Sequence, residues 1–88
     1  MEVEYKVPAM EDLRFWKKSG DKKIQKRIST LIEDICLHPF SGRGKPEALK
    51  YELSGMWSRR IDEKNRIIYS ATETLITVYS LRGHYLDK

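Results

Sequence analysis

The apolar residues of this 88-residue chain repeat with one period before residue 38 and another after residue 46. Upstream, Ile24, Ile28, Leu31, Ile32 and Ile35 fall at i, i+4, i+7, i+8 and i+11, which makes one stripe along an α-helix. Downstream the period is two. Leu49, Tyr51 and Leu53 alternate with Lys50 and Glu52, and Trp57, Arg59 and Ile61 alternate with Ser58, Arg60 and Asp62. Ile67, Tyr69 and Ala71 then alternate with Arg66, Ile68 and Ser70. Between the two regimes lie residues 39–46, Pro-Phe-Ser-Gly-Arg-Gly-Lys-Pro, a loop rich in residues that break helix and strand alike. Strands that follow helices bury both apolar surfaces by taking the helices onto one sheet face, so the fold class is α+β.

The remaining segments complete the order. Val3, Tyr5 and Val7 alternate with charged residues and predict a short first strand. Pro8 suits the first turn of a helix, with Glu11 and Asp12 near its positive end and Met10, Leu13 and Trp16 on one face. Lys17 and Lys18 suit the last turn, and Gly20 closes it. Asp21 is a good N-cap for the second helix, which Pro39 ends by disfavouring helix at His38. Gly55 and residues 72–74 are turns, and 75–81 is a last, more apolar strand. The expected order is β-α-α-β-β-β-β, with two N-terminal helices on one face of a small, mainly antiparallel sheet. If the apolar parity of each strand faces the helices, Lys50, Arg60 and Arg66 fall on the other parity and line the open face.

The length predicts one domain, 1–88. No apolar run is long enough to span a bilayer, the first residues are charged, and Cys36 has no internal disulfide partner, so a cytoplasmic protein is expected. Of the net charge of +4, residues 43–66 hold +3, with seven basic against four acidic residues. Such a local excess favours a polyanionic partner, nucleic acid first among them, or serves as a solvated surface.

Several chemistries find no support. His38 and His84 are far apart and there is one cysteine, so no metal-ligand spacing is present and no cofactor is expected. Cys36 lies beside the helical stripe and reads as core packing. The stretch Gly42-Arg43-Gly44-Lys45 is too short for a phosphate loop and precedes a strand. General acid–base chemistry supported by cations remains. Metal-free RNA cleavage needs a base for the 2′-hydroxyl, an acid for the 5′-oxygen, positive charge on the phosphorane, and splayed nucleotides. Glu47 can supply the base, His84 the acid, Arg66 and Arg60 the charge, and Tyr85 a stacking or orienting ring. Each also has an ordinary role: a solvated loop carboxylate, a surface histidine, ion pairs with Asp62 and Glu63, an aromatic at the sheet edge. Spacing alone leaves both readings open.

The ordered set Pro39-Phe40, Gly42-Arg43-Gly44-Lys45-Pro46-Glu47-Ala48-Leu49-Lys50, Leu53-Ser54-Gly55-Met56-Trp57-Ser58-Arg59-Arg60-Ile61, Asn65-Arg66-Ile67-Ile68-Tyr69 and His84-Tyr85 closely resembles the YoeB/Txe toxins of the RelE-like superfamily. The resemblance implies a toxin of a type II toxin–antitoxin system with a microbial-RNase-like fold. It implies a ribosome-dependent, metal-independent endonuclease that cuts mRNA in the A site of the 70S ribosome and so inhibits translation. Glu47, Arg66, His84, Tyr85 and Arg60 match the catalytic positions. Lys45 and Lys50 match basic positions that contact RNA or ribosome, and Arg43 and Arg59 of the same stretch are candidates for that role. The implied partner is a YefM/Axe-type antitoxin, and family members often form homodimers. Beyond Tyr85, an Asp87 carboxylate near His84 would favour the protonated imidazole, or point into solvent. Two rivals share the architecture: a non-catalytic RNA or ribosome binder, and a gyrase-inhibiting toxin of the ParE type.

Overall fold

The computed structural model describes residues 1–83 and opens with a short strand, β1 (Glu2–Tyr5). Val7, expected to extend it, is instead the first residue of helix α1 (Val7–Ser19) and is 67% exposed. Pro8 lacks an N–H that the first helical turn does not need, so the helix begins just before it. Ala9 and Trp16 are buried and Leu13 packs against them, so the inward stripe runs 9, 13, 16. Met10, expected on that face, is exposed. Glu11 and Asp12 fall beyond the first turn, and Asp12 is used elsewhere. Gly20 closes α1 in the left-handed conformation, at φ 73°.

Helix α2 (Lys22–Leu37) forms as its stripe predicts. Asp21 caps it by accepting a hydrogen bond from the Ile24 N–H at 3.1 Å. Ile28, Leu31 and Ile35 are buried, with Ile24 and Ile32 on the flanks. His38 caps its end, just before Pro39.

The strands that follow are β2 (Glu47–Ala48), β3 (Trp57–Arg60), β4 (Arg66–Ala71) and β5 (Leu75–Ser80). Among the described residues they join β1 in a sheet of order β1-β5-β4-β3-β2. β1 runs parallel to β5 and the other pairs are antiparallel. Directly paired residues share a face, so the register sorts the side chains. The row Tyr5, Val78, Tyr69, Trp57, Ala48 lies on the helix side. Val78 and Tyr69 join Ala9, Trp16, Ile35, Ile61, Ile67 and Ile76 in the core. The pairs Glu47–Ser58 and Arg60–Arg66 lie on the opposite face.

The second strand departs from expectation. Strand β2 is two residues long, and the alternating stretch Leu49–Leu53 ends in a 3₁₀ turn over Tyr51–Leu53. Leu49 is buried and its N–H reaches the Met56 carbonyl at 2.9 Å, but Tyr51 is 91% exposed at φ 58°. Bonds from Leu53 N–H to Lys50 O and from Ser54 N–H to Tyr51 O wind the chain back toward β3. Lys50 therefore caps a turn and does not stand in a strand row with Arg60 and Arg66.

Candidate active site

The open sheet face carries a cleft of about 360 Å³ lined by Lys45, Pro46, Glu47, Ser58, Arg60 and Arg66. Local structure explains how each residue arrives there. β2 sets Glu47 directly opposite Ser58, which is 2% exposed. β3 and β4 set Arg60 opposite Arg66. The loop before β2 is stitched to β3 by a 2.6 Å hydrogen bond from the Arg60 N–H to the Gly44 carbonyl. Gly44 sits at φ 81°, and a Cβ there would lie 3.0 Å from Leu31 Cδ2 and 3.1 Å from the Arg60 carbonyl. Only a glycine lets the loop pass this close, and Lys45 is thereby held at the cleft.

Arg66 is aimed by the β3–β4 turn. Asp62 Oδ1 accepts the N–H groups of Lys64 at 2.9 Å and Asn65 at 2.7 Å. Burial, the largest single influence on the Asp62 pKa, would raise it, but the Lys64 and Asn65 N–H groups, the Asn65 side-chain amide and the Arg27 charge together outweigh it, and the net shift is downward. The Arg66 guanidinium donates to the Asp62 carbonyl at 2.9 Å, which takes up one of its donors and fixes its direction. Like charges directly opposite on a sheet repel, so the pairing of Arg60 with Arg66 does not itself stabilise the sheet. A bridging anion would turn that repulsion into attraction.

Four of the sequence-derived candidates thus meet: Lys45, Glu47, Arg60 and Arg66. Others do not. Lys50 is exposed on the 3₁₀ turn, and Arg43 is exposed while its backbone is engaged in the loop. His84, Tyr85 and the tail with Asp87 lie outside the described residues. Arg59 requires a correction. It is fully buried and cannot meet RNA. Its Nε donates to the Tyr69 hydroxyl at 3.1 Å, and its Nη1 to Asp34 Oδ2 at 2.5 Å and the Arg43 carbonyl at 3.1 Å. Its Nη2 donates to the Ser41 carbonyl at 2.7 Å and to the His38 carbonyl. Five hydrogen bonds use the whole donor capacity of a guanidinium. Tyr69 in turn donates to the Pro39 carbonyl at 2.6 Å, and burial pushes its phenol pKa up. Arg59 therefore builds the loop that carries Lys45 and Glu47. Its parity, shared with Trp57 and Ile61, was the signal. The sequence assigns Ser58 and Asn65 no role and Asp62 only an ion pair, although the polar run 62–65 between two strands is a turn signature.

A family profile described as "YoeB-like toxin of bacterial type II toxin-antitoxin system" matches residues 5–85. The chain belongs to the YoeB toxin family. Toxin YoeB of Streptomyces coelicolor is 45% identical over 85 residues, spanning 97% of this chain and 100% of the relative. A YoeB/ParE toxin from Agrobacterium tumefaciens superposes with a TM-score of 0.91 at 33% identity, covering 97% of this chain and 100% of that one. Staphylococcus aureus YoeB superposes with TM-scores of 0.87 in a heterotetrameric complex with YefM and 0.88 as a dimer. Both are 34% identical and cover 97% of this chain and 98% of theirs. This YoeB-family chain is thus a type II toxin–antitoxin toxin with the helix-on-sheet architecture of those relatives. Among the described residues, no helix is long and apolar enough to cross a membrane.

Proposed function

We propose that this toxin is a metal-independent, ribosome-dependent endoribonuclease that cuts mRNA in the ribosomal A site. The observation that carries this reading is the cleft itself: a carboxylate on β2 and two arginines paired across β3 and β4, open to solvent on one sheet face. Glu47 takes the proton of the 2′-hydroxyl. Arg66 and Arg60 hold the scissile phosphate and stabilise charge on the phosphorane. Lys45 adds positive charge at the rim, and Lys50 and Arg43 contact the nucleic acid or ribosome further out. His84 protonates the leaving 5′-oxygen and Tyr85 orients the nucleotide. The Gly83 carbonyl accepts the Arg66 N–H at 3.0 Å, so the chain is held at the arginine end of the cleft one residue before His84.

A YefM-type antitoxin inhibits the toxin and a homodimer forms, as the Staphylococcus aureus complexes suggest by likeness. The site of action is the cytoplasm, where ribosomes are. Primer extension on a defined mRNA in a reconstituted translation system tests the reading. Wild-type protein is expected to give discrete cuts with ribosomes present and none without. Glu47→Ala is expected to slow them by roughly 10²–10⁴-fold. Intact mRNA beside arrested translation would make the toxin a binder, and altered plasmid supercoiling would favour the gyrase-directed reading.

A further inference from the structure

Residues 81–83 lie beyond the end of β5, outside the sheet ladder. Side chains from two separate elements hold them, together with one main-chain bond from β4. The Leu81 N–H donates to Asp12 Oδ2 at 2.9 Å, and the Leu81 carbonyl accepts from Trp16 Nε1 at 2.9 Å. The Arg82 guanidinium carbon lies 3.9 Å from the centre of the Phe15 ring. The Gly83 N–H donates to Asn65 Oδ1 at 2.8 Å, while its carbonyl accepts the Arg66 N–H. Asp12, Phe15 and Trp16 stand at i, i+3 and i+4, on one side of α1.

Core burial accounts for only part of this. The Leu81 side chain is fully buried and would hold that residue in place by itself. Arg82 is exposed and Gly83 has no side chain, so fixing them adds nothing to the core. A segment past its last strand normally frays. Here three consecutive residues are gripped, and the residue that follows is His84.

We propose that Asp12, Phe15 and Asn65 are positioning residues for the cleavage reaction. They clamp 81–83 between α1 and the β3–β4 turn, and so fix the point beside Arg66 from which the chain continues to His84. The proposal rests on the reading of His84 as the general acid. A misplacement of about 1 Å in a reacting group can cost 10²-fold in rate, which is the scale on which such a clamp acts.

Single-turnover cleavage of mRNA on programmed ribosomes tests it, with the full-length wild type, Asp12→Ala, Asp12→Asn, Phe15→Ala and His84→Ala, each also checked by thermal melting. Asp12→Ala and Phe15→Ala are expected to lower the rate at saturating toxin by roughly 10- to 100-fold. The half-saturating concentration is expected to stay within about threefold, since neither residue lines the cleft. Asp12→Asn keeps an oxygen acceptor for the Leu81 N–H and is expected to restore most of the rate. Phe15 is 44% exposed, so Phe15→Ala decides the matter if Asp12→Ala fails to fold. An unchanged saturating rate in folded variants, or a rise in half-saturating concentration alone, would overturn the clamp while His84→Ala still abolished cleavage. Full cleavage by His84→Ala would instead overturn the acid assignment, and the positioning role with it.

Discussion

Arg59 spends five donors beneath a loop, while its neighbour Arg60 opens onto the cleft. Strand alternation separates them, and burial then demands that Arg59 be fully satisfied. The Asp34 carboxylate meets its charge, and three loop carbonyls and the Tyr69 hydroxyl take its other protons. A lysine offers three donors on one atom and cannot reach this set. Arg59→Ala is expected to lower the unfolding free energy by roughly 2–4 kcal/mol, because it leaves a cavity, several unpaired loop carbonyls and a partly exposed Asp34 carboxylate without its cation. Arg59→Lys should also destabilise the protein, to a smaller degree. Urea unfolding checks both, and an Arg59→Ala variant as stable as wild type would show that the cluster is not what holds the loop. Arg60 and Arg66, by contrast, lie in a solvent-filled cleft, and their replacement should act on cleavage far more than on folding.

Between elements, Asp34 is the tie that joins α2 to the loop before β2. Its Oδ2 accepts the Arg43 N–H at 2.9 Å as well as the Arg59 guanidinium. The Arg43 N–H is the larger cause of a carboxyl pKa below the ordinary 3.8, with Arg59 adding to it against the opposing effect of desolvation. A depressed folded pKa gives stability that is complete above the unfolded value and is lost as pH falls through the folded one. Thermal melting from pH 7 to pH 2 is therefore expected to show a steep acid limb beginning near pH 4. In Asp34→Asn that limb should be shallower and the plateau lower. An identical limb in both would assign the acid sensitivity elsewhere, Asp62 first. At this same scale the sequence was unevenly readable. The α2 stripe was legible because one helix face fixes five apolar positions without help from other segments. Strands β3 and β4 were legible from alternation, and β5 as a more apolar run after a turn. The stretch Leu49–Leu53 misled because alternating apolar residues look alike in a strand and in a turn that buries only its ends. Nothing local foretold φ 58° at Tyr51. In the cleft, the outward parity of Arg60 and Arg66 could be read, and Glu47 was recognisable by resemblance. The fate of Arg59 could not be read as easily, since it depends on an aspartate 25 residues away and on carbonyls of a folded loop.

At the scale of the molecule, the sheet divides the labour. One face carries the helices and the core that stabilise the fold, while the other carries the cationic cleft. The core and the cleft thus lie on opposite sides of the same strands, and the register that buries Tyr69 and Ile67 also brings Arg60 opposite Arg66. The positive charge of residues 43–66 suits an RNA phosphate track, and the β3–β4 turn and α1 bring the chain's last described residues to the same end of it. In the proposed reaction this cleft drives attack by the substrate's own 2′-hydroxyl. The most direct measurement is cleavage, on programmed ribosomes, of an mRNA carrying a single 2′-O-methyl nucleotide at the mapped cut site. The methylated message is expected to resist cutting at that bond while the unmodified message is cut to leave a 5′-hydroxyl end. Cleavage of the methylated bond at the normal rate would contradict 2′-hydroxyl attack and remove Glu47 from the role of base.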